Sequence, residues 1–260
     1  MQLTNEMKYS KADTHIHTSY SDGNNSPEDI VEAAAGKLNV IAVTDHNRIK
    51  GAFKAKEYAL KNSFLEVDVI IGEEISTKNG HIVGLFLENK IIPGKTAQET
   101  IDEIHSQGGL AIAPHPYYFV SYAEKGYQPV RKLLNELDFD AIEVINNSST
   151  FSIFSNAAAS LTNVSIGLPQ LGVSDAHRSD FIGKGYTGFY GKTALDLRSQ
   201  IKEKKTTAHF NRYSFQEFKI NAFQSAKSFY FYFFGNNVDR KTTLHKINKN
   251  ILLIFRFFAF

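Results

Sequence analysis

The sequence predicts an α/β fold with its strands closed into a barrel. Three observations predict it. Short apolar runs, several of them continuous and rich in Val and Ile, alternate with longer segments of helical pattern. Such runs suit parallel strands buried on both faces, and the segments between them suit crossover helices. Ionisable residues recur at the ends of the runs, and in an α/β barrel the strand C-termini share one rim, where active sites lie.

The first predicted strand is Ala12–Ile16, with His15 and His17 at its end and Asp22 beyond. Ser26-Pro27-Glu28 reads as an N-cap followed by Pro at the first position of a helix reaching about Lys37. The second strand, Val40–Thr44, runs into Asp45 and His46, and a helix covers about Ala52–Lys61. The third, Val67–Ile71, is followed by Glu73-Glu74, and the fourth, His81–Leu87, starts with a histidine. Thr96 and Glu99 are spaced as a capping box for a helix that stops at Gly108-Gly109. The fifth strand, Leu110–Ala113, leads into Pro114-His115-Pro116. The sixth is Ala141–Ile145, and the seventh, Leu171–Ser174, ends in Asp175-Ala176-His177.

Composition narrows the classes. With 42% hydrophobic and 22% charged residues over 260 positions, the chain is an ordinary globular sequence with ample material for a core, neither disordered nor fibrous. It has no Cys, which excludes disulfide scaffolds, thiolate metal sites and a cysteine nucleophile. The opening residues carry no apolar signal-like segment, and no run reaches the roughly 18–20 apolar residues of a membrane span, so the cytoplasm is the expected compartment. Charge is uneven: residues 210–260 hold eight Lys/Arg and two acids, together with 15 of the 33 aromatics, while 1–209 is net acidic. We therefore expect a barrel over 1–209 and a basic, aromatic extension over 210–260. Its Phe229–Phe234 and Ile251–Phe260 runs are expected to pack on the body or on another subunit as a homo-oligomer, in preference to an anionic bilayer surface.

The rim residues suggest chemistry. Residues i and i+2 of a strand point the same way, so His15 and His17 can grip one ion, and Asp175 and His177 repeat the spacing. Buried without partners, such groups would each cost several kcal/mol, and cations turn that penalty into bonding. Imidazole and carboxylate without thiolate suit Zn, Mn or Fe. Six His and three carboxylates are too many donors for one ion and about right for two or three.

At these residues the chain resembles the PHP family, named for polymerase and histidinol phosphatase. The matching pieces are Asp13-Thr14-His15-Ile16-His17 with Ser21-Asp22-Gly23, Thr44-Asp45-His46, Gly72-Glu73-Glu74-Ile75-Ser76, Gly80-His81-Ile82-Val83-Gly84, Pro114-His115-Pro116 and Ser174-Asp175-Ala176-His177. They occur in family order across roughly residues 11–206. The resemblance implies a distorted seven-stranded (β/α) barrel, up to three divalent ions and phosphoester hydrolysis by a metal-bridging hydroxide. It implies that His15, His17, Glu74 and Asp175 hold one ion, with Glu74 bridging to a second held also by His81 and His115. Asp22, His46 and His177 would hold a third. Glu74 is chosen over Glu73 because it directly precedes the Ile-Ser step. The catalytic set is then Glu74, Asp175 and His177, joined by Arg178, which beside the Asp-x-His pair reads either as a contact to substrate phosphate or as a solvated or helix-end arginine. Relatives acting on nucleoside bisphosphates or RNA ends carry a helical insert where this chain has only 34 residues from His81 to His115. An open pocket is therefore expected, taking a small phosphorylated substrate or a nucleic-acid end. Two other readings stay open: a regulatory or binding module on the same scaffold, and a nuclease recruited through the basic tail.

Other polar residues have plainer readings. Asp45 orients His46 or caps a turn. Glu73 is either a supporting carboxylate or a surface charge. Asn47, Asn146 and Asn147, at strand ends, read as turn residues in preference to pocket lining, His105 as a last-turn cation, and His209 and His245 as surface residues. Tyr117, Tyr118 and Phe119 read as core in preference to a base-stacking wall.

Overall fold

The computed structural model describes residues 8–118, 130–149 and 152–223. Its strands and helices alternate, as the sequence predicts: β1 (Tyr9–Ile16), α1 (Pro27–Ala34), β2 (Val40–Val43), α2 (Lys50–Lys61), β3 (Asp68–Thr77), β4 (Gly80–Leu85), α3 (Ala97–Ser106), β5 (Leu110–Ala113), β6 (Ala141–Asn146), α4 (Ser152–Ile166), β7 (Gln170–Val173), β8 (Gly185–Tyr190), α5 (Ala194–Lys202) and β9 (Thr207–Phe210). The predicted caps form. Ser26 and Asp29 close a capping box on α1 with Pro27 behind it, and Thr96 and Glu99 do so on α3. Helix α1 ends at Ala34, short of Lys37.

All nine strands lie in one sheet, ordered β7-β6-β5-β4-β3-β2-β1-β8-β9. β1, β2 and β3 are parallel, as are β5, β6 and β7. The sheet curls until its ends meet. Ile16 bridges Ala176, His17 N donates to Ala176 O at 2.9 Å, and Gly172 lies so close to β8 that a Cβ there would stand 2.4 Å from Tyr186 O. Seven of these strands are the predicted ones, and two corrections apply. β8 and β9 are additional, pairing antiparallel on the far side of β1. β4 runs antiparallel between β3 and β5, because the two residues between Thr77 and Gly80 make a hairpin and cannot hold the dozen or more needed for a parallel crossover.

The interior of the barrel is apolar. Ala12, Val40, Ile70, Val83, Ile112 and Phe189 meet there, joined by Leu197 and Ile201 of α5. Helix α5 thus plugs the barrel, and its first residue ties to the start of β3, where Ala194 N donates to Asp68 Oδ2 at 2.8 Å. The plug sits at the strand N-termini, so the C-terminal rim stays open. Two further apolar layers pack α1, α2 and α3 against the outside.

Beyond β9 the chain continues along the barrel, helical over residues 215–223. Tyr213 donates its hydroxyl to Asn147 O, Asn221 donates to Ser148 O at 2.9 Å, and Lys184 pairs with Glu217 at 2.7 Å. Among the described residues no helix is long and apolar enough to cross a membrane. The Phe229–Phe234 and Ile251–Phe260 runs, with Phe119 and His245, lie outside the described residues.

Candidate metal centre

β1 delivers His15 and His17 to the rim on one side of the strand, both fully buried. The loop that follows is held by Asp45, whose carboxylate accepts Thr18 N at 2.7 Å, Thr18 Oγ1 at 2.8 Å and Ser21 Oγ at 2.8 Å. Gly51 makes room for that carboxylate, since a Cβ there would lie 2.0 Å from Asp45 Oδ2. Asp45 thereby fixes the turn that presents Asp22. β2 and β3 stay paired past their regular ladder through a bridge between His46 and Glu74. The third strand is longer than the sequence suggests, so Glu73 and Glu74 sit inside it and point to opposite faces. Because β4 is antiparallel, the histidine at its start reaches the same rim as the strand C-termini.

Glu74, 1% exposed, is the hub. Five imidazoles approach it: His81 Nδ1 at 2.8 Å, His46 Nδ1 and His115 Nε2 at 3.1 Å, His15 Nε2 at 3.2 Å and His17 Nε2 at 3.4 Å. On the β7 side, Asp175 Oδ1 lies 3.2 Å from His17 Nε2 and 3.6 Å from His15 Nε2. Toward the opening, Asp22 contacts His177 at 3.0 Å, His17 at 3.6 Å and His46 at 3.7 Å. Four overlapping groups have donor atoms within 4.8 Å of one another: His17, Asp22, His46 and His177; His15, His17 and Asp175; His15, Glu74 and His115; and His46, Glu74 and His81. All nine expected donors are therefore brought together. The grouping differs in detail from the expected one, since His17 also faces Asp22 and His46 also faces Glu74.

Two of the donors sit on strained backbone. His115 (φ 27°) and Asp175 (φ 51°) occupy the left-handed region that side chains rarely adopt. Partners hold them there: His115 N donates to Glu143 Oε2 at 2.9 Å, and Asn146 Nδ2 donates to Asp175 Oδ2 at 3.1 Å.

The electrostatics call for positive charge. Burial opposes ionisation of Glu74, but His46, His81, His15 and the His115 hydrogen bond outweigh it and hold the carboxyl well below its usual range. Burial likewise opposes ionisation of Asp175, and His15, His17 and His177 outweigh it. His46 is pushed down to about 4, by burial first and in spite of Glu74. His177 is raised to about 9, because its hydrogen bond to Asp22 and the charges of Asp175 and Asp22 overcome burial.

The donor set fits divalent cations. His15 Nδ1 lies 2.7 Å from Glu143 Oε1, so a neutral ring donates there and turns the Nε2 lone pair toward Glu74 and Asp175. Three acceptors then converge, an arrangement that a shared cation satisfies. In addition, His17 Nδ1 is buried without a hydrogen-bond partner.

Sequence reasoning missed Glu143 and preferred a turn role for Asn146 over its place in the pocket. Glu143 is 1% exposed and joins His15, the backbone of His115 and Asn146 Nδ2, the last at 3.0 Å. Its signal was a lone acid inside the apolar run Ala141–Ile145. Asn146 is more than a turn residue, whereas Asn47 and Asn147 do knit turns, to Ser76 and to Lys184 O. Glu73 is buried away from the rim, accepts Ile91 N at 2.9 Å and is raised by burial to about 7. Arg178 pairs with Asp180 at 2.6 Å and lies over the Phe181 ring. His105 pairs with Asp140, Tyr117 bonds Thr162, and His209 stacks on Tyr186.

Comparison with known proteins agrees with this geometry. The PHP domain profile matches residues 13–181, and a PHP-associated profile matches 164–206. The uncharacterized protein MJ1587 of Methanocaldococcus jannaschii is 41% identical over 176 residues, covering 62% of this chain and 94% of that protein. A 5'-3' exoribonuclease of Haemophilus influenzae is 41% identical over 92 residues, 34% of this chain and 32% of that protein. Among solved structures, a two-domain Bacteroides vulgatus protein containing a predicted PHP-like metal-dependent phosphoesterase superposes with a TM-score of 0.64 at 22% identity, over 80% of this chain and 66% of that one. Endonuclease Q bound to a 27-mer duplex with an abasic lesion gives 0.54 at 18%, over 75% and 57%. This chain therefore spans about a third of the exoribonuclease and little more than half of the endonuclease.

Proposed function

This chain belongs to the PHP domain family, and we propose that it is a metal-dependent phosphoesterase acting on a phosphomonoester or a nucleic-acid end. One observation carries the reading: a single buried carboxylate, Glu74, stands within 3.4 Å of five imidazoles at an open barrel rim. On this reading His15, His17, Glu74 and Asp175 hold one divalent ion, Glu74 with His81 and His115 a second, and Asp22, His46 and His177 a third. Such ions supply acidified water and charge neutralisation at phosphorus. The chain's own part is positional. Glu143 sets the His15 tautomer, Asn146 orients Asp175, and Asp45 holds the loop of Asp22. Three carboxylates facing six imidazoles leave room for net positive charge once cations are bound, which favours an anionic substrate. The 5'-3' exoribonuclease relative supports a nucleic-acid end among the candidate substrates.

A panel of phosphomonoesters, bisphosphates and short oligonucleotides, run with Mn²⁺, Zn²⁺ and Fe²⁺, tests the reading. We expect hydrolysis that chelation abolishes and that Glu74→Gln lowers by at least about a hundredfold, the order of loss seen when one transition-state-stabilising group is removed. Arg178→Ala should have a smaller effect, because Asp180 already engages that guanidinium. Full activity in Glu74→Gln would refute the mechanism, and inertness across the panel would favour a regulatory module.

A further inference from the structure

Helix α4 is inside out. Its buried positions are Ser152, Ser155, Ala159 and Asn163, all small or polar. Its outward positions include Phe154, Leu161 and Val164, which are 76%, 74% and 83% exposed. Spaced seven and three residues apart, these fall along one stripe of the helix. The helix carries no charged residue over Ser152–Ile166. An amphipathic helix on a globular surface has the reverse arrangement, and a stripe of large apolar side chains facing outward marks an interaction surface.

The course of the chain identifies the occupant. Residues 213–221 are anchored at the loop that leads into α4. Tyr213 donates to Asn147 O, and Asn221, itself 2% exposed, donates to Ser148 O at 2.9 Å. The described chain thus ends, at residue 223, beside the N-terminal end of α4. Six residues further on begins Phe229-Tyr230-Phe231-Tyr232-Phe233-Phe234, an uncharged aromatic run. Six extended residues reach about 20 Å, and fifteen helical residues span about 22 Å. The run can therefore be laid along the stripe without leaving the chain, and an uncharged aromatic segment matches an uncharged apolar face.

We propose that the outward face of α4 is the docking surface for residues 229–234 of the same chain. The contact uses the outward face of α4, opposite the buried positions of that helix, and does not depend on the proposed activity. Its role is to cover the stripe and to fix the extension against the barrel.

The test is a photo-crosslink in the full-length protein, with Leu161→benzoylphenylalanine irradiated at low protein concentration and the products mapped by mass spectrometry. A link within one chain to the peptide containing residues 229–234 is expected. A covalent dimer would assign the face to a second copy, a link to residues 119–129 would assign it to that segment, and no link would leave it open to solvent; each of these overturns the proposal. Unfolding of full-length Leu161→Glu, Phe231→Glu and the double variant supplies a second readout. Each single change should lower the midpoint, and the double should fall no further than the larger single, as residues in contact behave. Additive losses, or no loss in either single variant, would also overturn the contact.

Discussion

Glu143 shows what one residue can decide in the cluster. Its two oxygens accept from His15 Nδ1 at 2.7 Å and from His115 N at 2.9 Å, so it aims one ring and pins the strained backbone of another. Glu143→Gln keeps the shape but leaves one carbonyl oxygen to serve the three donors His15 Nδ1, His115 N and Asn146 Nδ2, and each buried donor left unpaired costs about 1–3 kcal/mol. The lost charge also makes His15 less basic. We expect metal affinity to fall about 10–100-fold, as for other partners of ligating histidines, with kcat reduced more than KM is raised. Competition with a chelating dye measures the affinity, and an unchanged value would show that Glu143 only fills space. The nine rim donors were legible because ionisable residues recur at the ends of the apolar runs and fall in the order of the family motifs; spacing singled out only His15 with His17 and Asp175 with His177, and the second pair lies beyond β7, with Asp175 in the left-handed region. Glu143 was hidden because a sequence shows an acid in a strand but not which face it takes. Glu73 illustrates the converse, an acid beside the hub that points to the other side of β3.

Elements were legible where the pattern was apolar and the cap explicit, as for β1, β2, β5 and α3. They were missed where a third element supplies the burial. β8 reads Gly-Tyr-Thr-Gly-Phe-Tyr and gains its place by pairing with β1 and by inserting Phe189 into the interior. α4 mixes Ala, Ser, Thr and Asn among its few large apolar residues, so its helical period is faint in the sequence. α5 is short, and its plugging role depends on Leu197 and Ile201 meeting strands as distant in sequence as β1. This yields a prediction for the plug. Thr193 and Asp196 form its capping box, so Thr193→Ala should cost about 1 kcal/mol. Leu197→Ala, which opens a cavity in the barrel floor, should cost about 2–5 kcal/mol. Because the plug sits at the end opposite the rim, metal stoichiometry in the folded variants should stay at the wild-type value. Denaturant unfolding with elemental analysis checks both, and loss of metal from a folded Leu197→Ala protein would show that floor and rim are coupled.

Across the whole molecule, protons and cations compete for one cluster. In the metal-free chain His177 is raised to about 9, since its bond to Asp22 and the nearby carboxylates outweigh burial. His15 and His115 are raised against burial as well, by Asp175, Glu143 and Glu74 for the first and chiefly by Glu74 for the second. His46, at about 4, and His17, lowered chiefly by burial, are already neutral at pH 7. Loading at pH 7 must therefore displace protons from His177 and His15, and affinity should weaken as pH falls. A histidine whose folded pKa exceeds its unfolded value stabilises the fold below the unfolded value, and that contribution is lost as pH rises through the folded one. The metal-free chain should thus lose stability between about pH 6.5 and about 9, the value for His177. With Mn²⁺ bound the slope should flatten, because the ion takes over the neutralising role of the protons while adding its own binding energy. Thermal midpoints across that range, with and without chelator, would show this, and calorimetry in buffers of different ionisation enthalpy would count the protons released. Parallel pH slopes with no proton release would mean that the imidazoles do not exchange protons for metal, and the carboxylates would then have to carry the binding alone.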